Sequence, residues 1–483
     1  MKKFLSFFVI LQIFLTGTAF SQDKLKQIKE YSVDVLYEKL RSGDKDVYNA
    51  VSQKKVNLNR ENLLGYTVLS YAAIDNEYEL AKMLLKSGAK PDYGLNFPLY
   101  QICWASEKPK NQNEMIKLLI AYGANVNKKQ KNTNDTPLMA TIKKQGGKYA
   151  KLLIQYGAKV NVVNSEGETP LILAVDYYAN LIDVSLVQYL ISQGSDVNVI
   201  TKTGHTALSI AAYNGYPLIL RQLLENGADV KITKKNKNEI PILNACYNGE
   251  IECVNLLLQY GADITVKDSY GSTALIMACI SKDSPELVKL CIQKGCQVNY
   301  VDPSTGYTPF ILAAIWNHPK QMKALYEAGA NINAENPDVG NTLMFIISNG
   351  IKEPNPPYYP ASELGGAICG LELGMNVNVR NSRGETPRSY AVKYINKTNN
   401  PQKIKEYCQI IELIAQKENR YPYILSFHEA VITGKTDIVK KYLSNSYLNV
   451  EEPDAEGNTA LYYAQHFNHK DIEKLLKNAG ATK

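Results

Sequence analysis

Histidine and tryptophan are scarce in this 483-residue chain, with five and two copies. Few positions are therefore open to imidazole chemistry. His466-x-x-His469 puts two imidazoles on one helical face. A zinc site takes four ligands and no Cys is near in sequence, so both are read as surface histidines. His428-Glu429 opens like a zinc-protease helix, but position 432 is Ile. Gly434-Lys435-Thr436 matches the end of a phosphate-binding loop, yet Glu429 stands where that loop needs its first Gly. Neither Gly-x-Ser-x-Gly nor Cys-x-x-Cys occurs. The expectation is a protein that is not an enzyme, with no catalytic residues, metal ligands, cofactor or small-molecule substrate. Charge of one sign is also lacking: 54 Lys+Arg against 47 Asp+Glu gives +7, too little at this length to imply a nucleic-acid partner.

Long apolar runs are missing except at the start. Met1-Lys2-Lys3 precedes the apolar stretch Phe4 to Leu15, and Thr16 to Gln22 follows with small residues. This is the pattern of a secretory signal peptide over 1–21. Ala19 and Ser21 suit a signal peptidase, with cleavage expected near Ser21-Gln22 and Ala19-Phe20 as the second choice. The rival, an uncleaved anchor, is disfavoured because the run is short of the ~20 residues a span prefers. The first cysteine is Cys103, which argues against a lipid-anchored start. The chain is expected to be exported, periplasmic or secreted, without a stable membrane span after cleavage. A composition 45% apolar and 21% charged excludes wholesale disorder.

What is abundant is repetition. One phrase reads Gly-x-Thr-Pro-Leu: Gly65-Tyr66-Thr67-Val68-Leu69, Gly167-Glu168-Thr169-Pro170-Leu171, Gly204-His205-Thr206-Ala207-Leu208, Gly271-Ser272-Thr273-Ala274-Leu275, Gly306-Tyr307-Thr308-Pro309-Phe310, Gly384-Glu385-Thr386-Pro387 and Gly457-Asn458-Thr459-Ala460-Leu461. A second reads Leu-Leu-x-x-Gly-Ala-x-Val-Asn, as in Leu118-Leu119 with Gly123 to Asn127. From Gly88 to Gly329 the second phrase recurs at steps of 35, 34, 37, 33, 34, 34 and 34 residues. The Thr oxygen caps free N–H groups and Pro fits the first turn of a helix. Small pairs such as Ala72-Ala73 and Ala211-Ala212 let helices approach. The Leu pair fills the space between units, with Leu256 placed there. Gly before Ala ends the second helix at φ > 0. A unit this thin is stable only against its neighbours.

These two linked phrases resemble the ankyrin repeat family, of an exported bacterial type, from about Val56 to Lys483. The resemblance implies an all-α ankyrin-repeat solenoid of about 12 helix-turn-helix units with β-hairpin-like fingers. The family's His after Leu is mostly replaced, by Ser70, Ser209 and Ile311 for example; His428 keeps it. The expected organisation is 22–58 as an N-terminal helical cap or degenerate first repeat, 59–348 as regular repeats, 349–420 as repeats with inter-helix insertions and 421–483 as C-terminal repeats and cap. A cap-like helix is expected from Asp23 to Ser42. The stretches Asn349 to Gly365, with Pro354, Pro356, Pro357 and Pro360, and Asn396 to Lys405 are read as insertions.

The resemblance implies a protein partner of unknown identity held on a concave face by a monomer. Positions after the Ala pair, and the residue before Thr, face that groove. The candidates are Tyr66, Trp104, Tyr177, Tyr213, Tyr247, Tyr307 and Trp316, with Lys234 and Lys235 on a basic finger tip; Asp135 and Lys143 fall in the same register. The competing view is that some of these rings pack against a neighbouring repeat. Alternative readings are a secreted effector directed at a host protein, or a structural or adhesive surface element. The eight cysteines are read as small core residues. Cys246 and Cys279 occupy equivalent slots, ~10 Å apart by helix packing, beyond the ~7 Å limit for a bridge; Cys291 and Cys296 are the nearest to a pair.

Overall fold

Each phrase of the repeat becomes one part of a helical hairpin. The computed structural model describes residues 22–105, 112–176, 183–231, 240–303, 305–336, 340–349, 364–398, 400–418, 425–444, 448–454 and 456–482. The signal-peptide segment, Tyr177, Lys234, Lys235 and most of the Pro-rich stretch lie outside them. The chain divides into two units, Met1–Pro241 and Ile242–Lys483. Each unit is a stack of helix pairs, with an all-α ankyrin-repeat architecture.

In the first unit, Thr67 accepts from the Ser70 N–H and the Ser70 hydroxyl accepts from the Thr67 N–H, starting the helix Val68–Ile74. The same reciprocal box forms at Thr206–Ser209 and, in the second unit, at Thr386–Ser389. Serine thus supplies a local hydrogen bond at the position where the family's His is lost. The second helix, Tyr78–Lys86, ends at Gly88 with φ 100°. A Cβ on Gly88 would meet nothing within 4 Å, so this glycine is needed for conformation and not for space. Val68–Ile74 packs on the next first helix, Pro98–Trp104, which packs on Pro137–Gln145. Ala72, Ala73, Leu84 and Leu119 are fully buried between layers. In the second unit Leu256, on Ile251–Gln259, is buried as expected.

The Asn that closes the second phrase ties one repeat to the next. Asn161 donates to the Gly194 carbonyl at 2.8 Å and accepts from the Asp196 N–H at 2.8 Å. Asn127 does the same with Gly157 and Lys159, Asn198 with Gly227 and Asp229, and Asn299 with Gly329 and Asn331. The acceptor is the carbonyl of the helix-ending Gly, which the helix itself leaves unpaired. Asn161→Ala is expected to lower stability by about 0.5–1.5 kcal/mol, because the freed groups return to water. Asn161→Asp, which keeps only the acceptor, is expected to fall between; urea unfolding of the three proteins checks the order.

Two expectations need revision. Asp23 to Ser42 is not one helix: Gln22–Glu30 and Val33–Arg41 are separated at Ser32, whose hydroxyl accepts from the Val35 N–H. Val33–Arg41 packs on Val68–Ile74 and Lys45–Ser52 on Tyr78–Lys86, which is the pairing seen between repeats. The second half of the stretch Asn396 to Lys405 is helical, because Asn400 caps a 17-residue helix, Pro401–Lys417, with Pro at its first turn. Ladder pairing in the fingers is sparse among the described residues: Glu335–Asn336 pairs antiparallel with Gly340–Asn341, and Lys267 bridges Thr273. Most finger turns are instead closed by a side chain. Asn164, for instance, accepts from the N–H groups of Glu166 and Glu168.

Candidate interaction surface

The residue before Thr and the residue eight further on meet in two repeats, and chemistry between them follows. Lys143 Nζ lies 3.2 Å from both carboxylate oxygens of Asp135, and Asp135 is only 1% exposed. Asn164 donates to the same carboxylate and Lys143 also reaches Glu168 at 3.3 Å. Lys393 and Glu385 repeat the pair at 2.7 Å. Lys393, followed by Asn381, holds the Glu385 carboxyl below the usual range. These charges neutralise each other, so Asp135 and Lys143 are not open contacts for a partner.

His318, His428 and His469 hold carbonyls. His318 Nδ1 is 3.0 Å from the Cys279 carbonyl and His469 Nε2 is 3.0 Å from that of Ile432. Gln112 and Gln145 donate to Ile74 and Ile102 in the same way. His318, His469, Gln112 and Gln145 each satisfy, from the following repeat, a free carbonyl at the end of a first helix. His466 and His469 are half-buried, not surface residues as the sequence had indicated. The cysteines are free thiols, seven of them buried. Burial alone pushes the Cys103 and Cys279 thiols up, far from reactive thiolates. Among the described residues no group of three or more His, Cys, Asp or Glu is placed to hold a metal ion, and no helix is long and apolar enough to cross a membrane.

The aromatic candidates divide. Tyr213 and Tyr247, 51% and 38% exposed, sit near the ends of the first helices Ala207–Asn214 and Pro241–Asn248. Trp316 is half-buried at the end of Pro309–Ile315. Trp104 is half-buried, stacked on Tyr100 at 5.8 Å with Lys144 Nζ 4.6 Å over its ring. Tyr307 lies 4.8 Å from Phe345. Tyr66 is part of a row: its ring stacks on Tyr71 at 5.3 Å, and Tyr71 stacks on Tyr37 at 5.2 Å. That row lines a cavity of about 490 Å³ with Ile74, Asp34, Glu38 and Asp75.

Models for ankyrin repeats (3 copies) match residues 102–184, 178–268 and 242–336, and one for a single ankyrin repeat matches 64–94, together more than half of the chain. The chain belongs to the ankyrin repeat family. A putative ankyrin repeat protein of Acanthamoeba polyphaga mimivirus is 29% identical over 119 residues, 24% of this chain and 14% of the relative's own length. The crystal structure of the human ASB11 ankyrin repeat domain aligns with a TM-score of 0.37 at 22% identity, covering 46% of this chain and 91% of that one. As an ankyrin repeat protein the chain is an interaction scaffold, a fold that typically holds other proteins.

Two features of this ankyrin surface escaped the repeat register. The Tyr37–Tyr71–Tyr66 row depends on a helix that carries neither phrase. The carbonyl-holding Gln112, His318 and His469 each stand just before a second helix, a signal present in the sequence, whereas Gln145 ends a first helix.

Proposed function

We propose that this ankyrin repeat protein is exported and binds a protein partner without turning over a substrate, using the concave face formed by fingers and first helices. The observation that carries this reading is the exposure of Tyr213 and Tyr247. Both follow a buried pair, Ala211-Ala212 and Ala245-Cys246, on helices whose other large apolar side chains are buried. Large rings with polar tips are the usual anchors of protein interfaces, and each unit exposes one at the end of a first helix.

The test is affinity capture from envelope and medium fractions with the purified chain beginning at Gln22. Tyr213→Ala and Tyr247→Ala, made separately, are each expected to weaken capture of one specific protein by about tenfold or more, the loss of an anchor of at least ~1.4 kcal/mol. Melting temperature and circular dichroism are expected to stay at wild type. Undiminished capture by both variants moves the interface away from these two positions. Fractionation of cells expressing the full chain tests export: the mature protein is expected outside the cytoplasm with Gln22 at its N-terminus.

A further inference from the structure

The cavity beside Tyr66 has a chemistry of its own. Tyr37, Tyr71 and Tyr66 form a continuous row of near-parallel rings, with interplanar angles of 23° and 21°, and Ile74 lies beside them. The row is held at its polar tips. The Tyr37 hydroxyl donates to Asp75 at 2.7 Å and the Tyr71 hydroxyl donates to Asp34 at 2.8 Å, where the Asn62 amide donates as well. The Tyr71 hydroxyl, more than the Asn62 amide, keeps the Asp34 carboxyl below its ordinary range. Three carboxylates, those of Asp34, Glu38 and Asp75, therefore line a small aromatic space that no basic residue lines. The nearest counter-charge is Arg41, whose Nη1 is 3.7 Å from Asp75.

A second cavity of about 650 Å³ adjoins, sharing Asp34 and Tyr71. Leu63 and Leu64 on the first finger line it and are strongly exposed. Arg60 lines it too, and its Nε and Nη2 are shielded from water with no acceptor, while Nη1 donates to the Lys29 carbonyl at 3.0 Å. Burial pulls that guanidinium down from its ordinary value.

We propose that this double cavity receives a basic residue of the protein partner, a Lys or Arg followed by an apolar residue. It rests on the partner-binding reading above and names the chemistry of one contact. The long aliphatic stem lies along the tyrosine row and the cationic head meets Asp34, Glu38 and Asp75. The apolar neighbour covers Leu63 and Leu64, which a free polyamine would leave in water. Small anions and acidic segments are repelled by the same three carboxylates.

The probe is a fluorescein-labelled octapeptide with two Arg-Leu pairs, compared by anisotropy with its Glu-Leu counterpart on the chain beginning at Gln22. The Arg peptide is expected to bind at least about tenfold more tightly, consistent with charge-assisted hydrogen bonds to carboxylate. Asp34→Asn with Glu38→Gln is expected to remove about tenfold of that affinity. Because Asp34 also holds Tyr71, Glu38→Gln alone is included; it is exposed and is expected to remove about threefold with no change in melting. Equal binding of the two peptides, or binding indifferent to these substitutions, overturns the proposal. So does full displacement by spermidine at equal concentration, which assigns the site to free polyamines. Tyr213→Ala is expected to leave the peptide bound. Capture of the partner that is lost in Tyr213→Ala but unchanged in Glu38→Gln and in the double variant overturns this cavity and leaves the wider reading standing.

Discussion

Arg388→Met is expected to destabilise the second unit by about 3–5 kcal/mol, the usual result of stranding a buried charge. The position is the Leu of the first phrase. Its equivalents Leu69, Leu138, Leu171, Leu208, Leu275, Phe310 and Leu461 are all buried. Arg388, on the helix Pro387–Ile395, instead sends Nη1 to within 2.6 Å of Glu418 Oε2, and Nε and Nη2 to the two carboxylate oxygens of Glu429. Glu429 is itself buried and closes the capping box of Phe427–Ile432, accepting from the Ser426 N–H at 2.6 Å. Methionine fills the space but leaves the Glu418 and Glu429 carboxylates without their counter-charge. Adding Glu429→Gln is expected to restore part of the loss, since Gln serves a capping box and carries no charge. A stack held by nearest neighbours fails locally. Amide exchange in Arg388→Met is therefore expected to quicken in Phe427–Ile432, Thr436–Leu443 and Ala460–His466, and to stay slow in Pro309–Ile315. Uniform quickening, or no rescue by Glu429→Gln, would show that the fork does not carry the docking.

That arrangement marks how far the sequence reaches. The register makes Arg388 legible as a misfit, a charge in a Leu slot, but its partners lie 30 and 41 residues on, inside a repeat whose helix lengths differ from the rest. Thr caps, φ-positive glycines and buried Ala pairs were readable because each depends on neighbours within a turn. The bridging role of Asn161 was not, although the residue recurs every period: a side chain that satisfies the next repeat leaves no local signature. Asn400-Pro401 is a helix start by local chemistry, yet the Lys- and Gln-rich turn after it carries little apolar pattern and reads as loop. Tyr66 and Ile74 line one cavity and Asp135 meets Lys143, pairs that fall eight residues apart in the repeat. The register did not distinguish an open contact from an internal ion pair, because that depends on charge paired across the face. The tyrosine row was hidden for a further reason. Tyr37 belongs to Val33–Arg41, which lacks both phrases, so no register says which way it faces.

Gly366→Ala is the second large effect, expected at about 2–3 kcal/mol, toward the upper end of what overpacking costs in a filled core. The sign runs against helix propensity. Gly366 lies inside the helix Gly365–Leu373, where Ala is favoured over Gly by about 1 kcal/mol. Its backbone is helical, so no positive φ calls for glycine. Space does: a Cβ there would lie 2.1 Å from the Ala314 carbonyl oxygen and 2.9 Å from its carbon. Those are main-chain atoms of Pro309–Ile315 and do not swing aside. Gly370 offers the contrast, since its Cβ would meet the Met375 Sδ at 2.5 Å and Cε at 2.6 Å, the end of a flexible side chain. Gly370→Ala is accordingly expected to be milder by at least about 1 kcal/mol, with methionine taking another rotamer. Gly88 separates the two causes. Gly88→Asn should retain more stability than Gly88→Ala, because Asn tolerates the left-handed region. At Gly366 the larger Asn is expected to be worse than Ala. Guanidinium unfolding of the five variants reads the order directly, and a Gly366→Ala protein more stable than wild type would mean that the two helices do not approach this closely.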